Sequence, residues 1–128
     1  MALYAATKHA IEGYSESLDH ELRTMGIRVS VIEPAFMKTA IDANSRDADA
    51  KLDAYRDVRI AMDARLKEML DVAEEPDVVA DSVLKAASAA SPKARYTAGT
   101  AAARLRLMHT LLPASLLDAG IRKQLRIA

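Results

Sequence analysis

The chain has 128 residues, enough for one small domain with a core and too few for two. Hydrophobic residues make up 51% and charged residues 28%, a globular balance that argues against disorder, and the lack of cysteine excludes disulfides, thiolate metal sites and cysteine nucleophiles. Eighteen basic and eighteen acidic residues cancel, so the chain as a whole lacks the electrostatic footprint of a nucleic-acid binder.

The skew toward 26 alanines, with 4% aromatics and no tryptophan, favours helices. No segment approaches the ~18 consecutive apolar residues of a membrane span. The most apolar stretch, Leu111 to Ile121, is broken by Pro113, Ser115, Asp118 and Gly120. Lys8, His9 and Glu12 fall where a signal peptide would carry its apolar run, so the chain is read as cytoplasmic. The charges are unevenly spread: residues 42–81 hold twelve acids and six bases, residues 93–128 seven bases and one acid. Arg104, Arg106, Arg122, Lys123 and Arg126 are spaced as the solvated faces of two short helices.

From Leu3 to Met25, Ile11, Tyr14, Leu18, Leu22 and Met25 recur in steps of three and four, one apolar helical stripe. Glu12, Glu16, Asp19, His20 and Arg23 fill the opposite face, and Gly26 stands where a left-handed residue stops a helix. Ile27, Val29 and Val31 alternate with Arg28 and Ser30 as a short strand that ends at Pro34. A loop is expected over 35–47, and a second helix over 48–70 with Leu52, Tyr55, Met62, Leu66 and Met69 on one stripe. Pro76 opens a third helix to about Ala90, and Ser91-Pro92 breaks it. Arg95 to Ala98 reads as a second strand before Gly99, with helices from about Thr100 to His109 and after Pro113. The order implies a helix-rich α/β arrangement with about two strands. Two short strands make a poor sheet, so the sequence reads as part of something larger.

Tyr4 and Lys8 stand four apart, on one face of a helix and ~5–6 Å from each other at Cβ. A phenol titrates near ~10, and a neighbouring ammonium that stabilises the phenolate makes it useful for proton transfer near neutrality. On spacing alone the pair is weak evidence for catalysis, since tyrosine and lysine four apart occur by chance in many helices. His9 and His20 lie ~16 Å apart along the helix, too far to share a metal, and His109 has no ligand partner at suitable spacing. No metal site is expected.

The run Tyr4-Ala5-Ala6-Thr7-Lys8-His9-Ala10-Ile11-Glu12-Gly13-Tyr14-Ser15-Glu16-Ser17-Leu18 resembles the active-site helix of the short-chain dehydrogenase/reductase family, which opens on Tyr-x-x-x-Lys. Gly26 to Pro34 is similar to that family's sixth strand and the start of the loop over the nicotinamide, with Pro34 and Thr39 matching its Pro-Gly-x-x-x-Thr. Pro92 to Gly99 resembles its last strand. Ala35 stands where the family usually has glycine.

The resemblance implies the C-terminal part of a Rossmann-like parallel-sheet fold. Residues 1–128 would form the C-terminal portion of a single dehydrogenase domain, without its N-terminal dinucleotide-binding half. Of the four glycines, Gly13, Gly26, Gly99 and Gly120, none forms the expected glycine-rich turn. The implied activity is hydride transfer between NAD or NADP and an alcohol or carbonyl. Tyr4 would be the general acid/base; Lys8 would lower its pKa and bind the nicotinamide ribose. Tyr4, Lys8, Pro34, Met37 and Thr39 would contact the cofactor, and Leu52, Tyr55, Met62 and Leu66 would line a pocket for a small hydrophobic alcohol or ketone. Those four are equally at home in ordinary core packing. The complete protein would be a homo-oligomer, and the isolated 128 residues are expected to be inactive. The alternative is a non-catalytic fragment acting only in subunit interaction.

Overall fold

The computed structural model describes residues 2–40, 44 and 49–125. They divide into two units, residues 1–34 with 77–99, and residues 35–76 with 100–128.

The first unit begins with α1 (Ala2–Leu22), continued by one 3-10 turn at Arg23–Met25. Gly26, at φ 75°, accepts the left-handed conformation that ends it, and its N–H donates to the Arg23 carbonyl. Strand β1 (Val31–Pro34) pairs in parallel with β2 (Arg95–Ala98), Val31 opposite Arg95 and Pro34 opposite Ala98. The helix α3 (Asp77–Ser88) lies between them in sequence, giving the crossover that parallel strands require. Alternation puts Val31, Glu33, Arg95 and Thr97 on one sheet face and Ile32, Pro34, Tyr96 and Ala98 on the other. Arg95 bonds α1 on the first face. The second face meets α3, where Ala86 and Ala98 are buried.

β1 starts later than the alternation from Ile27 implies. The backbone N–H of Val29 donates to the Asp19 carboxylate (2.9 Å), and Ser30 Oγ donates to the Lys93 carbonyl (2.7 Å). Side chains thus replace a ladder over 27–30, and pairing begins with Val31 N–H on the Ala94 carbonyl at 2.8 Å.

The roll of α1 differs more sharply from the sequence reading. Ile11 and Tyr14, expected on the buried stripe, are 57% and 67% exposed, whereas Leu18 and Leu22 are half-buried. The residue of α1 that is buried is Asp19, at 2% exposure. Its carboxylate accepts from Arg28 Nε (2.8 Å) and Nη2 (3.3 Å), from Val29 N–H and from Arg23. Arginines on and beside the strands need carboxylates, and the acidic face of α1 supplies them; a buried carboxylate without such partners would be prohibitively costly.

In the second unit, α2 (Arg56–Asp71) is preceded by a 3-10 turn at Asp53–Tyr55. The helix expected from residue 48 therefore starts eight residues later: Leu52 is extended at ψ 128°, and Ala48 lies outside the described residues. Two further helices, α4 (Thr100–Leu111) and α5 (Ala114–Leu125), meet at Pro113, and α5 packs on both α2 and α4. Met37 and Ala102 are buried here. Among the described residues, no helix is long and apolar enough to cross a membrane, and no group of three or more potential ligands is placed to hold a metal.

The Asp19 carboxyl is held well below its ordinary value of 3.8, by the Arg28 hydrogen bond first, then by Arg23 and the Val29 N–H. A depressed folded-state value means the ion pair stabilises the fold above the ordinary carboxylate range and is lost as pH falls below it. Asp19→Asn is expected to lower the urea midpoint at neutral pH. The gap from the parent should narrow as pH is lowered from about 4 toward 2, as read by far-ultraviolet circular dichroism.

Candidate active site

Tyr4 and Lys8 occupy the first two turns of α1, and the Lys8 ammonium lies 5.3 Å from the centroid of the Tyr4 ring. This is a cation–π contact, the arrangement expected when an i,i+4 pair places a cation over an aromatic face. Tyr4 is 51% exposed, and Thr7 Oγ1 donates to its carbonyl at 2.8 Å, which closes the helix's first turn. The ring and the ammonium are thus brought together on an exposed stretch of the helix.

The same face of α1 continues down the helix. Tyr4, Lys8, Glu12, Ser15 and Asp19 follow one another at steps of four, four, three and four. At 3.6 residues per turn Lys8 and Asp19 point within ~20° of each other. Asp19 faces the sheet, so this stripe is the one that α1 turns toward it. Arg95 holds its middle: the guanidinium donates to Glu12 Oε2 (3.0 Å), to Glu16 Oε1 (2.8 Å from Nε) and to Glu33 of β1. These three carboxylates raise the Arg95 pKa further above its already high value, the Glu33 bond being the largest cause.

Of the expected cofactor contacts, Pro34 ends β1 in the first unit and is exposed. Met37 and Thr39 belong to the second. Met37 is 8% exposed and forms an isolated parallel bridge with Glu74, and Lys38 N–H donates to the Glu74 carbonyl at 3.1 Å. Lys38 Nζ also reaches Glu75 Oε1 at 2.9 Å. Thr39 is exposed, its hydroxyl open to solvent. Of the expected substrate-pocket residues, Leu52 and Tyr55 precede α2 and are 66% and 59% exposed, while Met62 and Leu66 are half-buried on it. The helical spacing that linked all four therefore holds only for Met62 and Leu66.

Glu74 was not singled out by sequence. Its carboxylate Oε1 accepts from Thr100 N–H (3.0 Å) and Thr100 Oγ1 (2.9 Å), capping α4. These bonds, with the Thr100 N–H bond the largest cause, lower its pKa. Glu74 thus holds the 37–38 backbone with its main chain and the start of α4 with its side chain.

Comparison with known proteins identifies the family. Residues 1–50 match the short chain dehydrogenase family model. An oxidoreductase of Schizosaccharomyces pombe is 36% identical over 98 residues, covering 76% of this chain and 41% of the relative. The chain belongs to the short-chain dehydrogenase family. The NADPH-dependent 3-dehydrocapnine reductase of Ornithobacterium rhinotracheale is 30% identical, over 96% of this chain and 44% of its own length. Human retinol dehydrogenase 16 is 29% identical, over 91% of this chain and 41% of its own. The chain therefore spans about two fifths of the length of these family relatives. It is an oxidoreductase-family chain whose helix-rich, parallel-stranded structure is a part of a Rossmann-like α/β fold.

Removing the Glu74 side chain tests the second unit's organisation. In Glu74→Ala the Thr100 amide should exchange with deuterium about fivefold faster, the factor a lost helix cap implies. Amides in the middle of α5 should be unchanged.

Proposed function

We propose that these residues are the C-terminal portion of a single short-chain dehydrogenase domain that transfers hydride between a nicotinamide cofactor and a hydrophobic alcohol or ketone. The observation that carries this reading is the Tyr4–Lys8 pair, ring and ammonium in contact at the start of a sheet-anchored helix. In the first unit Lys8 is an exposed cation beside Tyr4; in the second Thr39 is exposed, and the loop after Pro34 is backbone-tied through Met37 and Lys38 to Glu74.

In this reading Lys8 binds the ribose hydroxyls and supplies positive charge beside the phenol. Pro34, Met37 and Thr39 orient the carboxamide and pyrophosphate. The cofactor, when bound, supplies or accepts the hydride. Tyr4 Oη gives a proton to the carbonyl oxygen in reduction and takes it from the hydroxyl in oxidation, so charge does not accumulate on oxygen. Leu52, Tyr55, Met62 and Leu66 present the apolar surface for the rest of the substrate. Similar proteins named for retinol and for a 17-beta-hydroxysteroid support a hydrophobic substrate class. The sequence leaves NAD and NADP equal, and a relative named as NADPH-dependent shows that the phosphate form occurs among similar chains.

Tyr4→Phe removes the hydroxyl and keeps the ring against Lys8. In the complete protein that carries this chain, it should lower kcat by about 10²-fold or more. The Kd for the reduced cofactor, read by fluorescence titration, should stay within about twofold, since the ring and Lys8 remain in place. Unchanged turnover would favour the non-catalytic alternative, in which Tyr4 and Lys8 play no chemical part.

A further inference from the structure

The proton-transferring reading of Tyr4 makes its placement the quantity to explain, and the inference here rests on that reading. We propose that Arg95, at the start of β2, is a positioning residue for Tyr4 and Lys8. Three features of the structure support this.

The first is geometric. Glu12 and Glu16 lie one and two turns beyond Lys8 on α1, and both bond the Arg95 guanidinium. The second is mechanical. Every described residue of α1 from Ala2 to Ile11 is exposed, so its first two and a half turns carry no packing of their own in this chain. Two side-chain clusters tie the helix to the sheet region, one through Arg95 at Glu12 and Glu16, the other through Asp19. With 1.5 Å per residue, Glu12 is ~12 Å along the axis from Tyr4 and Asp19 ~22 Å. Without Arg95 the helix pivots about Asp19, and a tilt of ~5° there moves Tyr4 by ~2 Å. Misplacement by ~1 Å can cost a catalytic group ~10²-fold. The third is chemical. Arg95 also bonds Glu33, one residue before Pro34, so one planar fork fixes α1 against both strands of the pair at once. A lysine offers a point charge in the same place and cannot hold three carboxylates in a fixed plane.

Arg95 touches neither proton nor cofactor in this account. It acts through Tyr4, and that separates it from a residue that merely stabilises the fold.

The experiment is a double-mutant cycle in the complete protein, with Arg95→Gln, Tyr4→Phe and the pair, measured in single-turnover alcohol oxidation. Arg95→Gln should lower kcat by about tenfold or more, with substrate KM within about twofold. In the Tyr4→Phe background the same change should alter the residual rate less than about twofold, because the group being positioned is gone. Arg95→Lys should recover part of the loss. A full Arg95→Gln effect persisting in the Tyr4→Phe background overturns the inference, as does a raised KM with unchanged kcat. If Arg95→Gln does not fold, Glu16→Gln removes one of the three carboxylates and must lower kcat with KM constant; no change in kcat overturns the proposal. Full turnover in Tyr4→Phe alone would sink the catalytic reading instead, whatever Arg95 does.

Discussion

Two arginines hold α1 against the sheet, and the first unit depends on them. Arg28 and Arg95 each meet carboxylates from the helix, Asp19 in one case and Glu12 with Glu16 in the other. The buried hydrophobic residues described in that unit are Ala86 and Ala98. Ion pairs of this kind are directional where apolar contacts are not. They fix the roll of the helix as well as its presence, and the roll decides which side chains face the sheet.

That roll places chemistry and packing on one stripe. Tyr4, Lys8, Glu12, Ser15 and Asp19 share it, so the residues that lock the helix and those that would move a proton belong to the same row. The opposite consequence is exposure of the apolar side chains of Leu3, Ile11 and Tyr14. This fits a chain spanning about two fifths of its relatives' length. Glu74 plays the comparable part in the second unit, tying the 37–38 backbone and the start of α4.

Much of this was legible in the sequence where the signal was local. The limits of β2, the stop at Gly26, the helix opened after Pro76 and the helix after Pro113 follow from turn chemistry and period, and the structure has them. The orientation of α1 was not legible. Its apolar stripe pointed to a buried face, yet Asp19 is held by Arg28, nine residues on, and Glu16 and Glu12 by Arg95, 79 and 83 residues on. Spacing within the helix does not reveal such pairing. A polar stripe at steps of four, four, three and four was present as a sign, and a helix with two amphipathic readings is settled by the charges of the sheet it meets. The start of α2 failed for a similar reason: Leu52 and Tyr55 continue the helical spacing, but Leu52 is extended and a 3-10 turn intervenes. The Tyr4–Lys8 pair was visible by spacing, and the family resemblance gave it chemical meaning.

The central claim is that the Tyr4 hydroxyl works beside a bound nicotinamide in hydride transfer. Its most direct measurement follows the hydrogen itself. A hydrophobic secondary alcohol deuterated at the carbinol carbon is incubated with the complete protein and NAD or NADP, and the reduced cofactor is analysed by mass spectrometry and proton magnetic resonance. The account predicts one deuterium at C4 of the reduced nicotinamide, on a single face, with one ketone formed per cofactor reduced. Ketone formed with the deuterium released to solvent, or reduction of neither cofactor across a range of such alcohols, would contradict it.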